Sequence, residues 1–382
     1  MKKVLCIMQL PPPIHGASLM NSYLSKSKVI NDSFNVQVVN LQFALLLKDL
    51  KKFSFLKVFK SIYYAGAIFY KVIKYRPHLV YFTISPSGYA FYRDAVYVLI
   101  LKLFGSKILF HLHGKGIKKE TERSSLKRKL YKFVFKNTSV ICLANNLTED
   151  IKPVYTAVPY VIPCGIPIHP KSNQKTHKSE NIIQILFLAN YIENKGILKL
   201  IDAVKILKDQ EFIFNVRLVG APTDLSVEAI ENYVRVRDLE NCVQVVGPRY
   251  DEEKYNEFLT ADIFVFPTFY SNEAFPLVNL EAMQFSLPVI STDEGGISEA
   301  VINDVTGFVI EPRNTQELAD KLSLLIKDKN LREEMGIKGK NRFFKYYTLQ
   351  HFEHNIKNVF DTIIEKQPIN TSDAPKLKII PE

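Results

Sequence analysis

Short apolar runs alternate with longer amphipathic stretches along the first half of the chain. The runs are rich in β-branched and aromatic residues and have the length of buried strands: Val4–Met8, Asn35–Asn40, Leu79–Ile84, Lys107–His111 and Ser139–Leu143. The stretches between them have helical spacing, the longest being Phe43–Tyr75, Tyr89–Phe104 and Ser124–Lys136. Strands that alternate with helices predict a parallel sheet covered by helices on both faces.

The same alternation starts again in the second half of the chain. Its apolar runs predict five more strands: Gln184–Leu188, Phe214–Val219, Val243–Val246, Ile263–Phe266 and Pro288–Ser291. The polar residues 173–181 between the halves are typical of a linker. We therefore expect an α/β fold of two Rossmann-like, doubly wound domains that face a central cleft, where ligands of such sheets bind. The expected parts are two domains (1–170 and 171–345), a helix that crosses back (346–366) and a loose tail (367–382).

The composition is that of an ordinary globular protein, with 47% hydrophobic and 23% charged residues. It excludes a disordered chain, a coiled coil and a collagen-like fibre. No apolar run approaches the roughly 18 residues of a membrane-spanning helix, and the N-terminus lacks the features of a signal peptide. The four cysteines form no CxxC pair, so neither a disulfide framework nor a structural zinc site is expected. We expect a cytoplasmic protein.

Charge is distributed unevenly between the halves. Residues 1–170 carry 25 lysines and arginines against 7 acidic residues, whereas residues 171–382 carry 25 against 32. The basic residues of the first half are interleaved with leucine, phenylalanine and tyrosine in two segments, Lys48–Lys74 and Lys118–Lys136. This pattern suits a helix at an anionic membrane surface, and it also suits a solvated helix face. Nucleic-acid binding is not expected, because no recognition motif accompanies the charge.

The strongest chemical signal follows the predicted strand Ile263–Phe266. A polar loop with Glu273 precedes Pro276, which suits the start of a helix, and Glu281 lies within that helix. The free N–H groups of the helix start suit a phosphate. Two carboxylates placed in this way suit two hydroxyl-bearing parts of one phosphorylated ligand. The alternative is a capped surface helix with two solvated glutamates.

The segment from Glu273 through Ala274, Phe275, Pro276 and Leu277 to Glu281 resembles the E-x7-E motif of retaining, GT-B-fold glycosyltransferases of family 4. The resemblance extends in order over nearly the whole chain. It implies that Glu273 lies near the hydroxyls of the donor sugar and that Glu281 holds the ribose of the nucleotide.

Asn190–Gly196 looks like the R-x4-K-G segment of the same family, and the match assigns Lys195 to the donor diphosphate. An ammonium group there offsets charge that develops on the leaving group. The sequence departs from the pattern at Asn190, where the family has arginine. Either Asn190 supplies a neutral hydrogen bond, or another cation such as Arg249 or Arg313 substitutes. An ordinary surface lysine is the alternative for Lys195.

Further landmarks lie at predicted strand ends. The loop with His15, Gly16 and Ser18 follows the first strand and is similar to the family's N-terminal glycine loop, in which Gly16 allows close approach to phosphate or acceptor. His15 and Ser18 are expected acceptor contacts, and a rigid proline turn is the alternative. His111 and His113 end the strand Lys107–Phe110; the match favours His113 as a donor-sugar contact, and we expect no metal there. Gly295–Glu299 matches the family's G-G-x-x-E turn, whose glycines let the backbone approach the ligand.

The resemblance implies transfer of a sugar, with retention, from a nucleotide diphosphate sugar to an acceptor hydroxyl. It implies that the domain 1–170 faces the acceptor and the membrane and that the domain 171–345 binds the nucleotide-sugar donor. We expect UDP as the nucleotide, no cofactor and no divalent metal, and Glu273, His113 and Lys195 as the catalytic residues. The acceptor is expected to be a glycan or lipid-linked glycan of surface polysaccharide, such as capsule or lipopolysaccharide, met at the inner face of the cell membrane. Two alternatives remain: a nucleotide-sugar 2-epimerase on the same fold, and a catalytically inactive scaffold, which Asn190 favours.

Overall fold

Twelve strands form two separate, wholly parallel sheets in the computed structural model, which describes residues 1–45, 54–174 and 182–365. The chain divides into two units. The first comprises Met1–Gly165 and the C-terminal segment that begins at Leu349, and the second is Ile166–Thr348. Each unit has one sheet of six strands with helices packed on it, which confirms the predicted α/β class.

The sheet of the first unit has the order β2-β1-β3-β4-β5-β6. Its strands are β1 (Lys2–Met8), β2 (Phe34–Asn40), β3 (Leu79–Phe82), β4 (Ile108–His111), β5 (Ser139–Cys142) and β6 (Tyr160–Val161). Its helices are α1 (Gly16–Lys26), α2 (Lys28–Ser33), α3 (Phe55–Tyr75), α4 (Gly88–Leu103), α5 (Ile117–Glu122) and α6 (Ser125–Phe135). Every residue of β3 and β4 is buried, as expected for strands covered on both faces.

The order of these strands decides which helices share a face of the sheet. The chain moves in one direction across the sheet from β2 to β3, β4 and β5, and it moves in the opposite direction from β1 to β2. Because parallel crossovers are right-handed, α3, α4 and α6 cover one face, whereas α1 and α2 cover the other.

The sheet of the second unit has the order β12-β11-β10-β7-β8-β9. Its strands are β7 (Ile183–Leu188), β8 (Phe214–Val219), β9 (Val243–Gly247), β10 (Ile263–Phe266), β11 (Val289–Thr292) and β12 (Gly307–Ile310). Its helices are α7 (Ile197–Asp209), α8 (Val227–Arg235), α9 (Asp251–Thr260), α10 (Leu277–Gln284), α11 (Ile297–Ala300), α12 (Thr315–Lys327) and α13 (Lys329–Tyr346). Consecutive elements thus form βα repeats that bring the carboxyl ends of the strands to one edge.

The last helix, α14 (Leu349–Glu365), packs on the first unit. The ring of its Phe360 lies 5.6 Å from that of Phe34 and 5.5 Å from that of Tyr81. The ammonium of Lys107 donates to the carbonyl of Ile363 at 3.1 Å, close to the helix C-terminus, where a cation is favourable.

All ten strands predicted from the sequence are present, and β6 and β12 were missed. Both missed strands lie at sheet edges and are short. Helix α3 begins at Phe55, whereas the predicted helical stretch began at Phe43. Residues 43–45 are not helical, and residues 46–53 lie outside the described residues. Most of the predicted linker (175–181) and the predicted tail (367–382) also lie outside them. No helix in the described part of the chain combines the length and apolar character needed to cross a bilayer.

Candidate functional site

The loop that carries Lys195 is anchored where β7 and β10 end. A short 3-10 turn, Glu193–Lys195, follows β7, and Gly196 then starts α7 with a φ of +87°. A Cβ atom on Gly196 would lie 2.7 Å from the carbonyl carbon of Pro267, so only glycine allows the two loops to touch. The N–H of Phe269 also donates to the carbonyl of Asn194 at 2.8 Å. These contacts fix Lys195 beside the loop that carries Glu273.

Lys195 and Glu273 form an ion pair between the Nζ and Oε2 atoms. Their side chains are 17% and 11% exposed, so water screens this pair much less than a surface pair. The ammonium also lies 5.2 Å from the ring centre of Phe266 and 5.0 Å from that of Tyr270, within the range of cation–π attraction. The two residues that the sequence assigned to one donor site therefore contact each other, although they are 78 positions apart in the chain.

The position of Glu273 is fixed by the glycine turn that follows β11. The N–H of Gly296 donates to the carbonyl of Ala274 at 2.6 Å. Gly295 has a φ of +60°, and a Cβ atom there would clash with the carbonyl of Glu273 and lie 2.5 Å from that of Ala274. The glycines expected to approach a ligand therefore pack against the backbone of Glu273.

Helix α10 starts directly after this loop and carries Glu281. Pro276, the predicted helix start, is its N-cap residue, so the helix begins one position later, at Leu277. No side chain of the described residues caps the helix N-terminus. Leu277 is buried, as are Ala274 and Phe275 ahead of it. Glu281 is also buried, and its Oε1 accepts from the ammonium of Lys254 on α9 at 2.6 Å. The second carboxylate thus has its own lysine.

Asn190 lies partly buried in the loop after β7, and its carbonyl accepts from the N–H of Ile192 at 2.7 Å. Of the two arginines considered as substitutes, Arg249 lies 4.0 Å from the carboxylate of Glu257. The guanidinium of Arg313 stacks on the ring of Phe269, 4.5 Å from its centre. The N–H of Phe269 is hydrogen-bonded to the loop of Lys195, so of these two arginines it is Arg313 that lies beside this loop.

In the first unit, the loop after β1 ends in a helix cap. His15 is the N-cap residue of α1: its Nδ1 accepts from the N–H of Ser18 at 3.4 Å, and its own N–H donates to the Ser18 hydroxyl at 3.0 Å. Ser18 is fully buried and donates to the carbonyl of Pro13 at 2.8 Å, so its hydroxyl is committed to the cap. A Cβ atom at Gly16 would contact nothing within 4 Å, so packing does not require glycine there.

His111 and His113 lie together where β4 ends, with ring centres 4.1 Å apart. The Nδ1 of His111 and the hydroxyl of Tyr81 are hydrogen-bonded at 2.6 Å. Burial, with a smaller contribution from His113, holds the pKa of His111 well below its ordinary value. Burial and nearby His15 lower the pKa of His113 to about 3, so both imidazoles are neutral at physiological pH.

Several buried polar atoms at this edge of the first sheet have no hydrogen-bond partner within the described ranges: Nε2 of Gln9, His15, His111 and His113, and Oδ1 of Asn21. Asn21 donates to the carbonyl of Gln9 at 3.0 Å and to the Thr83 hydroxyl at 3.2 Å, which joins the loops after β1 and β3. Buried polar groups are normally paired, so a cluster of unpaired ones is typical of a ligand site.

Four residues with a part in these sites were not predicted from the sequence: Lys254, Gln9, Asn21 and Asp150. The carboxylate of Asp150 accepts from the N–H groups of Gly116 at 2.8 Å and Ile117 at 3.0 Å, and so fixes the loop after His113. No local motif marks these residues, since each acts on a partner distant in the chain. No cluster of three or more histidine, cysteine or acidic residues suited to a metal is present in the part of the chain that the structure describes.

Residues 169–342 match the family model described as "Glycosyl transferases group 1". The capsular polysaccharide biosynthesis glycosyltransferase CapM of Staphylococcus aureus is 27% identical over 199 residues, 51% of this chain and 50% of CapM. The lipopolysaccharide 1,2-N-acetylglucosaminetransferase of Salmonella typhimurium is 28% identical over 206 residues, 50% of this chain and 53% of that protein. The matches thus span about half the length of these two relatives.

Nearly the whole chain is similar in structure to Alr3699/HepE of Anabaena, solved in complex with UDP. The TM-score is 0.72 at 18% identity, over 95% of this chain and 100% of HepE. At this identity the likeness concerns the fold, and it extends to both sheets. Residues 169–342 are therefore similar to a group 1 glycosyl transferase domain, and the chain has the GT-B fold.

Proposed function

We propose that the protein is a retaining glycosyltransferase that moves a sugar from a UDP-sugar to the hydroxyl of a glycan or lipid-linked glycan. The observation that carries this proposal is the buried Lys195–Glu273 pair beside α10, within the group 1 domain. CapM and the Salmonella enzyme act in capsule and lipopolysaccharide synthesis by their names, which supports a polysaccharide acceptor. The HepE complex with UDP supports UDP as the nucleotide.

Lys195 is proposed to bind the donor diphosphate. Its ammonium is desolvated and held by Glu273, so an incoming diphosphate exchanges one anionic partner for another and meets a cation already in place. The uncapped start of α10 supplies a second positive end nearby. Arg313, stacked on the Phe269 loop, is proposed as the second cation in place of the arginine expected at position 190.

The two glutamates are proposed to bind hydroxyl groups of the donor. Glu281, held by Lys254, accepts from the ribose hydroxyls, and Glu273 accepts from hydroxyls of the sugar. An ionised carboxylate can only accept hydrogen bonds, and its two oxygens suit the two neighbouring hydroxyls of a diol. His113 is proposed as a neutral hydrogen-bonding contact to the donor sugar. The acceptor contacts of His15 and Ser18 stay predictions; the buried Ser18 hydroxyl is engaged in the cap of α1.

In the proposed reaction the bond from the anomeric carbon to the diphosphate oxygen breaks, and a bond to the acceptor oxygen forms on the same face. The acceptor proton passes to the leaving phosphate, so no side chain is needed as a nucleophile. Lys195 offsets the charge that develops on the leaving group. The proposal includes no cofactor and no divalent metal.

Calorimetric titration with UDP, GDP and ADP tests the donor site. We expect saturable UDP binding that Lys195→Ala weakens at least about tenfold, since a hydrogen bond to a charged group contributes about 1.5–3 kcal/mol. Lys205→Ala is the matched control, because Lys205 is also ion-paired in this unit, to Asp209 at 2.7 Å. Equal loss in both variants, or no binding of any nucleotide, would contradict the assigned site.

Turnover separates this proposal from an inactive scaffold, which Asn190 favours. A transferase releases UDP from its sugar nucleotide in proportion to added acceptor, whereas a scaffold binds UDP and releases none. Restoring arginine with Asn190→Arg is the informative variant: turnover that appears only in this variant would identify the natural chain as a scaffold.

A further inference from the structure

Helix α3 presents an apolar side to solvent. Its exposed residues Phe55, Phe59, Ile62, Phe69 and Ile73 are spaced by three, four or seven positions and therefore share one face of the helix. Phe59 is 69% exposed and Ile62 is 65% exposed. An outer helix of a doubly wound domain ordinarily shows polar residues on this side.

Helix α4 repeats the pattern. Tyr89, Tyr92, Val96, Leu99 and Leu103 are exposed at spacings of three and four, so they form a second apolar line along the helix. The opposite side of α4 faces the sheet and is equally apolar, with Val98 and Leu101 fully buried. The exposed apolar residues of α4 are thus not needed to pack the helix on the sheet, because the opposite side of the helix already does so.

The two lines belong to one continuous surface. Helices α3 and α4 cover the same face of the first sheet and contact each other: the Tyr97 hydroxyl donates to the carbonyl of Ser61 at 3.1 Å, and the rings of Phe69 and Phe104 lie 5.5 Å apart. Of the 29 large apolar side chains that are exposed among the described residues, 15 lie between Phe55 and Phe104. We call the exposed residues of α3 and α4 named above the apolar face.

Basic residues predominate around the apolar face. Residues 54–103 contain seven lysines and arginines and a single acidic residue, Asp94. That carboxylate is buried and paired with Arg93, its Oδ1 lying 2.6 Å from the guanidinium. Helix α6, on the same face of the sheet, contains no acidic residue and adds Arg128, Lys129 and Lys132, whereas its Lys127 is paired with Glu120 of α5 at 2.5 Å. A partner of the apolar face therefore meets hydrophobic side chains within a cationic border.

We propose that the apolar face docks on an anionic lipid surface, with α3 and α4 lying in the plane of the membrane interface. An anionic lipid surface is complementary to both features: its acyl chains can pack against the phenylalanine and leucine side chains, and its headgroups can attract the lysines. A second copy of the chain that docked through the same surface would place lysines opposite lysines, because α3 and α6 contain no acidic residue and the one acidic residue of α4, Asp94, is buried. This inference rests on the surface alone, and it gives the proposed transferase access to lipid-linked acceptors.

Flotation of the full chain with vesicles tests the proposal. We expect binding to phosphatidylcholine vesicles that contain phosphatidylglycerol, little binding to phosphatidylcholine alone, and weaker binding as salt rises. Phe59→Ser with Ile62→Ser, and separately Val96→Ser with Leu99→Ser, should each weaken the partition constant at least about tenfold, since each buried large apolar side chain changes it by about ten- to hundredfold.

The control variant combines Val236→Ser and Ile337→Ser, which remove apolar side chains that are 65% and 55% exposed in the second unit. It should bind vesicles like the wild type. Equal binding of all variants, or equal binding to both lipid compositions, would overturn the proposal. So would a concentration-dependent dimer, seen by light scattering, that the α3 variant abolishes. UDP titration of each variant reports on the donor site separately, so loss of vesicle binding can be told apart from failure of the proposed donor site.

Discussion

Replacing Gly295 by alanine tests the most specific geometric feature of the donor site. Gly295 holds the loop of Glu273 by direct contact with its backbone. A Cβ atom there would lie 2.5 Å from the carbonyl oxygen of Ala274, whereas ordinary contact begins at 3.4 Å. The loop must therefore retreat by roughly 0.9 Å, because packed backbone atoms do not compress. We expect Glu273 to move away from Lys195 with the loop.

Two effects of Gly295→Ala differ in size and in readout. The left-handed backbone, with a φ of +60°, costs an alanine about 1–2 kcal/mol of stability. A displacement near 1 Å of a substrate-positioning group costs about a hundredfold in rate. We therefore expect kcat/KM for release of UDP from the sugar nucleotide to fall about a hundredfold, with a modest fall in Tm.

Gly105→Ala is the matched control for this measurement. Gly105 has a φ of +64°, and a Cβ atom there would contact nothing within 4 Å. This variant has the same backbone strain without the displacement, so its Tm should fall similarly while kcat/KM stays near that of the wild type. If both variants keep wild-type kcat/KM, contact with Gly295 does not position the Glu273 loop for turnover, and the reasoning fails.

Three further variants test single contacts. Glu273→Gln should lower turnover at least about tenfold yet leave UDP affinity unchanged or higher in calorimetry, because it removes the carboxylate that competes with diphosphate for the lysine. Arg313→Ala should weaken UDP binding about five- to tenfold, and Arg235→Ala, an exposed control on α8, should not. Burial lowers the pKa of His113 to about 3 in the folded chain, whereas the ordinary value of 6.5 applies to the unfolded chain. The neutral imidazole therefore contributes its full stability above pH 6.5, and this contribution is lost as the pH falls from 6.5 towards 3. The free energy of unfolding measured in urea should fall by about 2 kcal/mol between pH 6.5 and pH 5 because of this group. In His113→Gln the free energy of unfolding should depend less steeply on pH over this range.

The strands were predictable because burial on both faces leaves them little choice of residue. β10 and β4 are wholly buried; β10 appears in the sequence as an uninterrupted apolar run, and β4 is apolar up to its last residue, His111. The same reasoning missed β6, which has only two residues and is half-buried. It also could not separate the outer side of α3 from a core side, since a phenylalanine at helical spacing looks the same on either.

The part of the candidate site that lies directly after the strands was predictable from the sequence. Lys195 and Glu273 follow β7 and β10, which are neighbours in the sheet, so their proximity follows from the topology. The partner of Glu281 was not predictable, because Lys254 reaches it from a different helix. The contact of Gly295 with the Glu273 loop was not predictable either, since a glycine in the sequence does not reveal which backbone approaches it. Its approach to a ligand stays a prediction.

The Lys195–Glu273 pair has an electrostatic consequence for the proposed reaction. A diphosphate that takes the ammonium leaves a buried carboxylate beside two negative charges, which is costly at low dielectric. The cost falls if sugar hydroxyls donate to that carboxylate, and UDP alone offers no such donors. Because Gly295 holds the backbone of this loop, the carboxylate can leave only by rotating its side chain. The pair therefore favours the complete sugar nucleotide over the product UDP, which helps release of the product after transfer.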